Sequence, residues 1–427
     1  MTKGIDYLRN KLSQKAVGAK LRYDYYDMKS WIEDFGISTP PSLKQWMGAL
    51  GWCSKAVDGL ADRLIFREYK NDILDFNEIL DDNNSDVLCD SAFLDALISS
   101  CSFIYITTEN GEPRMRVISG QHATGIIDPV TMMLKEGYAV LERDDTDKPI
   151  LEVHCLPHMT HVYRDGKLVE SVPNPAPYPL LVPVVFRPNS TRPFGHSRIS
   201  RACMSIVGSA LRTAKRSEIA AEFYSYPQKY VLGVDKTQKD IDTWKATMSS
   251  MLRFGNDKNG NHPSVGQFQS ASMAPHLDQL RMFAGLFAGE TGLTLDDLGF
   301  PSQNPSSAEA IKSSHESLRL VARKAQRSFG IGLENALFLA ACLKDDQTYD
   351  RSIISQIKPC WEPIFTPDSS MLSGIGNGIL QINQAVPGYI NGENLGELTG
   401  IYTEKSANTE LITPGKIAAV ELEVEDE

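Results

Sequence analysis

The densest group of potentially reactive side chains is a run of histidines and one cysteine in the segment VHCLPHMTHVY. It consists of His154, Cys155, His158 and His161, and imidazole nitrogens and thiolates are ligands that zinc prefers. In an extended strand His154 and His158 would share a face, whereas a turn at Pro157 would also bring His161 beside them. Histidines on a solvated β-surface are the more common arrangement, so we assign no metal ligand.

Short motifs of the common catalytic sites are absent from the sequence. There is no GxxxxGK[ST] phosphate loop, GxGxxG fingerprint, GxSxG elbow or HExxH metal motif. The segment GETG at residues 289–292 has no lysine, and the acidic pairs Asp296–Asp297 and Asp345–Asp346 suit capping or surface roles. The sequence therefore predicts no enzymatic activity and no cofactor. A DNA-processing enzyme such as a nuclease is the weakest alternative, because carboxylates clustered at metal-binding spacing are lacking.

Composition and charge indicate a folded, acidic protein. The chain has 427 residues, of which 42% are hydrophobic and 23% charged, and its formal net charge is −11. A protein that holds DNA in place carries a basic surface, because neutralised phosphates dominate such binding. Two interpretations follow: DNA is not the ligand, or the protein meets DNA without binding it tightly.

Cysteine usage predicts free thiols and assembly in a reducing, cytosolic compartment. The seven cysteines are odd in number, and none are spaced as CxxC. The first residues, MTKGIDYLRNKLSQ, carry charges where a secretion signal needs an apolar core. No apolar run approaches the roughly 20 residues that span a bilayer. We expect a protein that is neither secreted nor embedded in a membrane.

Hydrophobic spacing divides the first half of the chain into a helical part and a β-rich part. Spacing of three and four residues predicts helices at residues 5–15, 28–35, 42–67 and 77–99. From residue 102 to about 186 the pattern alternates instead. Asn110–Gly111 and Asp165–Gly166, each between β-prone runs, predict two hairpins, because both turn positions accept a positive φ.

The second half is mostly helical. Residues 197–224 read as a helix, QKYVLGV as a strand, residues 236–252 as a small helix, and residues 253–268 as a loop or hairpin. A further helix opens at Pro275 and ends near Gly292. Residues 307–343 predict the longest helix, on the order of 55 Å if Gly330 and Gly332 do not interrupt it.

Three stretches resemble the portal proteins of tailed phages, most closely those of siphophages. The first is PVVFRPNSTRPFGHSRISR at residues 183–201, where Gly195 gives turn freedom and Ser197 is a suitable helix N-cap. The second is FPSQNPSSAEAIKSSHESLRLVARKAQRSFG at residues 300–330. The third is the opening, with YDYYDMKSWI and ALGWCSKAVDGLADRLIF. The resemblance covers most of residues 20–345, and the order of the pieces carries it more than any single motif.

The resemblance implies an α+β, ring-forming fold with named parts. The implied parts are a wing at residues 1–197 (helical over 1–100, β-rich over 101–190), a first stem helix at 198–226, a small α/β clip at 227–274, a second stem helix at 275–297, a tunnel loop at 298–306, a long spine helix at 307–345, and a C-terminal region at 346–427 with a reduced crown and an acidic tail.

The same resemblance implies a head–tail connector at one capsid vertex, through which double-stranded DNA is packaged and ejected. It implies a virion protein that assembles in the host cytoplasm as a ring of about twelve subunits. The implied partners are the terminase large subunit, the major capsid and scaffold proteins, neck adaptors and the passing DNA, with no membrane. A capsid or neck adaptor that does not line the DNA path is the alternative. The chain length and the two stem-like helices that flank a small insert disfavour it.

Candidate DNA-channel residues follow from this assignment. In the tunnel loop they are uncharged, as a sliding contact requires: Phe300, Ser302, Gln303 and Asn304. On the first stem helix they are basic: Arg198, Arg201, Arg212, Lys215 and Arg216. A plain connection between helices is the alternative role for the loop. Salt bridges between subunits are the alternative role for the basic residues, and nothing in the sequence decides between the two.

Overall fold

The structure is a computed structural model that describes residues 2–30, 48–225, 229–232, 262–267, 272–301, 315–365, 367, 369–399 and 401. It combines helices with antiparallel sheets, as the predicted α+β class requires. The chain forms two compact units. The first comprises residues 1–23, 56–199 and 315–427, and the second comprises residues 24–55 and 200–314.

The helices and strands are numbered here in chain order. The helices are α1 (Ile5–Tyr26), α2 (Trp52–Ala61), α3 (Phe76–Asp81), α4 (Ser85–Ser99), α5 (Arg201–Ser225), α6 (Ala274–Thr291), α7 (Glu316–Lys344), α8 (Ser369–Ala385) and α9 (Gly392–Thr399). The strands are β1 (Phe66–Lys70), β2 (Cys101–Glu109), β3 (Glu112–Ser119), β4 (Ala123–Ile127), β5 (Leu134–Arg143), β6 (Pro149–Leu156), β7 (Met159–Arg164), β8 (Lys167–Pro173), β9 (Leu181–Val185), β10 (Lys229–Leu232), β11 (Ser264–Gln267) and β12 (Lys358–Trp361).

Two antiparallel sheets build the β-rich part of the first unit. One has the order β4-β5-β6-β7-β8 and the other the order β3-β2-β9. Both predicted hairpins are confirmed: Asn110 and Gly111 connect β2 to β3, and Asp165 and Gly166 connect β7 to β8, each with positive φ. The turn residues therefore set the register of both hairpins.

Helices α4 and α7 cover the three-stranded sheet with an aromatic core. The rings of Phe93 on α4 and Phe329 on α7 stack with centroids 4.9 Å apart. Helix α7 runs without interruption through Gly330 and Gly332, and its 29 residues make it about 44 Å long. A Cβ built on Gly332 would lie 3.1 Å from Val184 Cα of β9, so this glycine allows helix and strand to approach closely.

Helix α1 lies on the five-stranded sheet through apolar contacts and two buried carboxylates. Leu8 and Leu12 pack against Tyr138 and Val140 of β5. The carboxylate of Glu136 accepts hydrogen bonds from the backbone N–H groups of residues 3 and 4, at 2.7 and 2.8 Å. A carboxylate at this end also suits the helix dipole, so Glu136 fixes where α1 begins on the sheet.

A second carboxylate, Glu152 of β6, holds the second turn of α1. Arg9 binds it in a bidentate manner, with Nε 3.0 Å and Nη2 2.7 Å from the two oxygens. The hydroxyl of Tyr138 also donates to Glu152. Burial raises the pKa of Glu152, but the bonds from Arg9 and Tyr138 outweigh that effect and leave the pKa below its ordinary value.

Several element predictions were wrong in detail. The helical assignment of residues 1–100 fails at β1, which pairs with β12 from the far end of the chain. A bulge between Phe66 and Glu68 disturbs the alternation that marks a strand, so the segment resembles the end of a helix. The helix expected over residues 42–67 is formed only as Trp52–Ala61 within the described residues.

The predicted stem boundaries also change. The second stem helix, assigned to residues 275–297, ends at Thr291, because Gly292 takes a positive φ of 72° and closes it. A 3₁₀ turn follows at Asp296–Leu298. The predicted helix at residues 236–252 and the acidic tail lie outside the described residues, as do most of residues 28–35 and the first part of the predicted spine helix.

All seven cysteines are free thiols in the structure. Six of them are buried. Burial raises the pKa of Cys53, Cys89, Cys101 and Cys155 to about 12. These thiols stay protonated near neutral pH and behave as small apolar side chains.

Candidate nucleic-acid interface

Helices α5 and α6 form an antiparallel pair in the second unit, and α5 carries four of the nine predicted channel residues. Near one end, the hydroxyl of Ser200 donates to Glu290 Oε1 at 2.7 Å. Further along, the hydroxyl of Thr213 donates to Gln279 Oε1 at 3.1 Å. Because α5 residues of rising number meet α6 residues of falling number, the two bonds set the antiparallel register.

Apolar residues at helical spacing form the seam between these two helices. On α5 the buried positions are Cys203, Val207, Ala210 and Leu211, and on α6 they are Ala284, Phe287 and Ala288. Trp52 packs beside this seam, with its ring 5.7 Å from that of Phe287. Since Thr213 is buried too, its hydrogen bond to Gln279 lies inside the pair and satisfies a desolvated hydroxyl.

The chain enters α5 through a tight turn. Gly195 has a φ of 73°, and a Cβ there would lie 2.1 Å from the carbonyl oxygen of Phe186, so only glycine fits. Ser197 is not the N-cap that we predicted: its hydroxyl donates to the Ile98 carbonyl at 2.5 Å. The cap is Ser200, whose Oγ accepts from the Cys203 N–H at 3.1 Å.

The five predicted basic residues do not form one patch. Arg198 lies before the helix rather than on it, and its buried Nε donates to the Ala56 carbonyl at 3.2 Å. Lys215 is also buried, and Arg212 is half-buried with Nη2 3.0 Å from Ser209 Oγ. Arg201 and Arg216 are exposed on α5, about 22 Å apart along its axis. The exposed positive charge on this helix is therefore sparse.

The predicted tunnel loop is described only at its start. The backbone N–H of Phe300 donates to the Leu295 carbonyl at 3.0 Å, and the Phe300 ring is half-buried. Thr294 and Asp297 cap the preceding turn reciprocally, with Thr294 Oγ1 donating to Asp297 Oδ2 at 2.8 Å. Ser302, Gln303 and Asn304 lie outside the described residues.

The histidine segment forms a hairpin rather than a cluster. His154 on β6 pairs with His161 on β7, and their ring centroids lie 6.1 Å apart. The Nε2 atom of His154 lies 2.9 Å from Glu136 Oε1. The Nδ1 atom of His161 lies 2.7 Å from the hydroxyl oxygen of Ser171. His158 lies at the turn with a φ of 61°. Within the described ranges no three potential ligands are arranged to hold a metal.

Two curated phage proteins are similar to most of this chain. The portal protein of Mycobacterium phage L5 is 24% identical over 395 residues, which cover 84% of this chain and 80% of the relative. The portal protein of Mycobacterium phage D29 aligns with the same identity and coverage. The chain is a relative of tailed-phage portal proteins. The resemblance predicted from the sequence is thereby confirmed.

The relationship to portal proteins extends over the chain and does not rest on one motif, since both alignments span 84% of it. No protein-family model matches the chain. Among solved structures, a chain in the virion of a native gene transfer agent particle is similar with a TM-score of 0.45 and 11% identity, over 82% of this chain and 89% of that chain. A chain in the neck of the native particle, computed with C12 symmetry, has a TM-score of 0.42 and 13% identity, over 80% and 88% of the two chains.

One residue pair of the stem region escaped the sequence analysis. Ser200 caps α5 and also binds Glu290 of α6, whereas we assigned the cap to Ser197. The signal that separates the two serines is Ile199, which is buried and therefore belongs to the core that precedes the helix.

Among the described helices, none has the length and hydropathy to cross a bilayer.

Proposed function

We propose that the protein is a portal subunit, the head–tail connector that forms the channel for double-stranded DNA at one capsid vertex. The observation that carries the proposal is the alignment with two portal proteins over 84% of the chain. The subunits form a closed ring of about twelve copies through a head-to-tail interface. The protein acts as a structural component of the virion and not as an enzyme.

The parts of the chain take the roles that the resemblance implies. The first unit supplies the wing, and α7 is its spine. The pair α5 and α6 is the stem, and the strands β10 and β11, which pair antiparallel between these helices in sequence, belong to the clip. The clip meets the terminase large subunit during packaging and neck adaptors later, while capsid and scaffold proteins surround the wing. Assembly takes place in the host cytoplasm.

The charge of the chain suits DNA that passes without being held. A static DNA site needs many phosphate contacts, and each one makes binding tighter and more sensitive to salt. This chain has a net charge of −11, and on α5 the exposed basic residues Arg201 and Arg216 lie far apart. We assign the closest approach to DNA to the tunnel loop at residues 298–306, with Phe300, Ser302, Gln303 and Asn304 as the sliding surface.

Native mass spectrometry with negative-stain electron microscopy tests the proposal. We expect closed rings of about a dozen copies with a central hole. A stable dimer or tetramer without a channel would contradict the portal function. Rings too narrow for a DNA duplex would instead favour an adaptor that does not line the DNA path.

The tunnel-loop assignment has its own test. Replacing residues 300–304 by a glycine-serine linker of equal length should leave ring formation unchanged, because the buried residues of the seam between α5 and α6 stay in place. Particles assembled with this variant should package less DNA or lose it after packaging. Normal packaging and retention, with rings confirmed by microscopy, would contradict the assignment.

A further inference from the structure

Helix α8 is exposed along nearly its whole length. Of the side chains described on this seventeen-residue helix, Ile379 alone is buried. Leu380 is 50% exposed and Ile382 42% exposed, and the turn that follows the helix presents Val386 and Tyr389. Isolated exposed apolar residues are ordinary, but a run of them along one helix and its turn marks a contact surface.

The same segment carries no charge. From Ser369 to Gly392 there is no aspartate, glutamate, lysine, arginine or histidine, although 23% of the whole chain is charged. Solvent-exposed helices normally carry a charged face. A helix that lies on a membrane surface carries lysine or arginine on its polar side, and a helix that binds nucleic acid does so as well. This composition therefore fits a protein surface that excludes water.

Its own sequence does not stabilise α8 as an isolated helix. Gly374, Gly376 and Gly378 lie within it, and a Cβ at any of them would meet nothing within 4 Å. Each glycine costs about 1 kcal/mol relative to alanine in a helix. Helices of this length gain most of their stability from packing an apolar face, and on α8 that face consists of the buried Ile379 and the half-buried Leu372 and Ile375.

The turn after α8 is nevertheless held in one geometry. The side chain of Asn383 accepts a hydrogen bond from the Ile390 N–H and donates one to the Ile390 carbonyl, both at 2.9 Å. Asn391 Oδ1 then accepts from the Asn394 N–H at 2.9 Å and caps α9. The exposed apolar side chains are thus presented on a preorganised helical hairpin, which lowers the entropic cost of binding.

We infer that α8 and its turn form a contact with a second copy of this chain. This inference rests on the proposed ring function, which it deepens by naming a segment of the subunit interface. Permanent homo-oligomeric interfaces are depleted of charge at their centre, whereas transient partners retain polar contacts. The exposed apolar side chains offer on the order of 400 Å², about half of what each partner buries in an interface of standard size.

A charge variant with a matched control tests the inference. Leu380→Glu places a carboxylate at one of the most exposed apolar side chains of α8, which is 50% exposed. Leu320→Glu is the control, since Leu320 on α7 is 49% exposed but lies between Arg319 and Arg323. We expect Leu380→Glu to raise the concentration needed for ring assembly by at least about tenfold, and Leu320→Glu to assemble like the wild type in native mass spectrometry.

The outcomes separate this inference from the proposed function. Rings formed equally well by Leu380→Glu would overturn the inference and leave the portal function intact. Loss of rings in both variants would also overturn it, because the effect would not be specific to α8. A wild-type chain that remains monomeric would overturn both.

Hydrogen exchange identifies what covers the exposed side of α8. We expect amides of residues 371–385 to be protected in rings and to exchange in dissociated subunits. Protection in dissociated full-length subunits that is lost in a chain ending at residue 401 would assign the cover to the chain's own C-terminal residues. Flotation of dissociated subunits with phosphatidylcholine–phosphatidylglycerol vesicles would assign it to a membrane. Either result would overturn the inference.

Discussion

At the scale of single side chains, the residues with the most evident chemistry serve to hold α1 on the sheet. His154, the first histidine of the segment, contacts Glu136, and that carboxylate also accepts hydrogen bonds from the backbone N–H groups of residues 3 and 4. The register of β6 against β7 sets the positions of His154 and His161, and the sequence did not reveal which strand would lie beside them. In this structure His154 therefore belongs to the hydrogen-bonded group that holds the start of α1 on the sheet.

The Glu152–Arg9 pair predicts an acid-sensitive attachment of α1. Because the folded pKa of Glu152 lies below its ordinary value, its stabilising effect is complete above the unfolded pKa of about 4.5 and is lost as pH falls through the folded pKa. We expect Glu152→Gln to lower the free energy of unfolding at pH 7 by about 2 kcal/mol. We also expect its stability to depend less on pH below about 4.5. Denaturant titrations at several pH values measure both.

The control for that prediction is Asp6→Asn. Asp6 also pairs with Arg9, at 3.3 Å, but its side chain is 89% exposed. Exposed pairs contribute little, so we expect a change below about 0.5 kcal/mol. If the free energy of unfolding fell with pH in the same way for wild type and Glu152→Gln, the role given to Glu152 would be contradicted.

Glu334 on α7 should show the opposite pH dependence. Burial raises its pKa to about 7, although the charge of Arg351 opposes the shift. The folded state therefore binds the proton more tightly than the unfolded state, and stability falls as pH rises from about 4.5 to 7. We expect Glu334→Gln to match the wild type at pH 4 and to exceed it at pH 8 by about 1 kcal/mol, since the carboxyl is partly exposed. A thermal-unfolding series that shows no pH-dependent difference would contradict this.

At the scale of helices and strands, local turn chemistry was predictable and long-range pairing was not. Asn110–Gly111 and Asp165–Gly166 require positive φ within a few residues, and both hairpins formed as expected. Strand β1 escaped prediction because its partner β12 comes from residues 358–361. The boundaries of α5 and α6 depended on which serine caps and which glycine closes the helix, and only packing distinguishes those choices.

Two glycines of α7 make a matched pair for testing how closely the helix lies on the sheet. A Cβ at Gly330 would meet Pro359 Cγ at 3.4 Å, an ordinary contact, whereas at Gly332 it would meet Val184 Cα at 3.1 Å. We expect Gly330→Ala to be neutral or to stabilise by up to about 1 kcal/mol through helix propensity. Gly332→Ala should instead destabilise by about 1–2 kcal/mol, because backbone must move. Equal effects of the two substitutions in chemical denaturation would contradict the close approach.

At the scale of the whole molecule, the order of the sequence blocks was more informative than any motif. That order identified the portal relationship, whereas the histidine segment brings no three metal ligands together in the described part of the chain. The subunit contact that we propose was not predictable, because the exposed, uncharged helix α8 looks in sequence like any apolar helix. Its exposure emerges only once the packing of the other helices is known.

The assembled protein should bind DNA weakly, since every subunit adds a net charge of −11. We expect no retained complex with linear duplex DNA in gel-shift experiments at about 150 mM salt, where phosphate contacts are already weakened. A basic DNA-binding domain of similar size serves as the positive control. Tight binding with a steep salt dependence would contradict a channel that lets DNA slide.

The attachment of α1 has a consequence for how the protein is made. Arg9 and its partner Glu152 are 143 residues apart. Because synthesis proceeds at about 5–20 residues per second, roughly 7–30 s pass between the synthesis of Arg9 and that of Glu152. The interval is longer for β1, because its partner β12 is complete only when residue 361 has been synthesised. During translation the apolar side of α1 lacks its sheet until residue 152 has been synthesised, so the docking of α1 cannot precede that point.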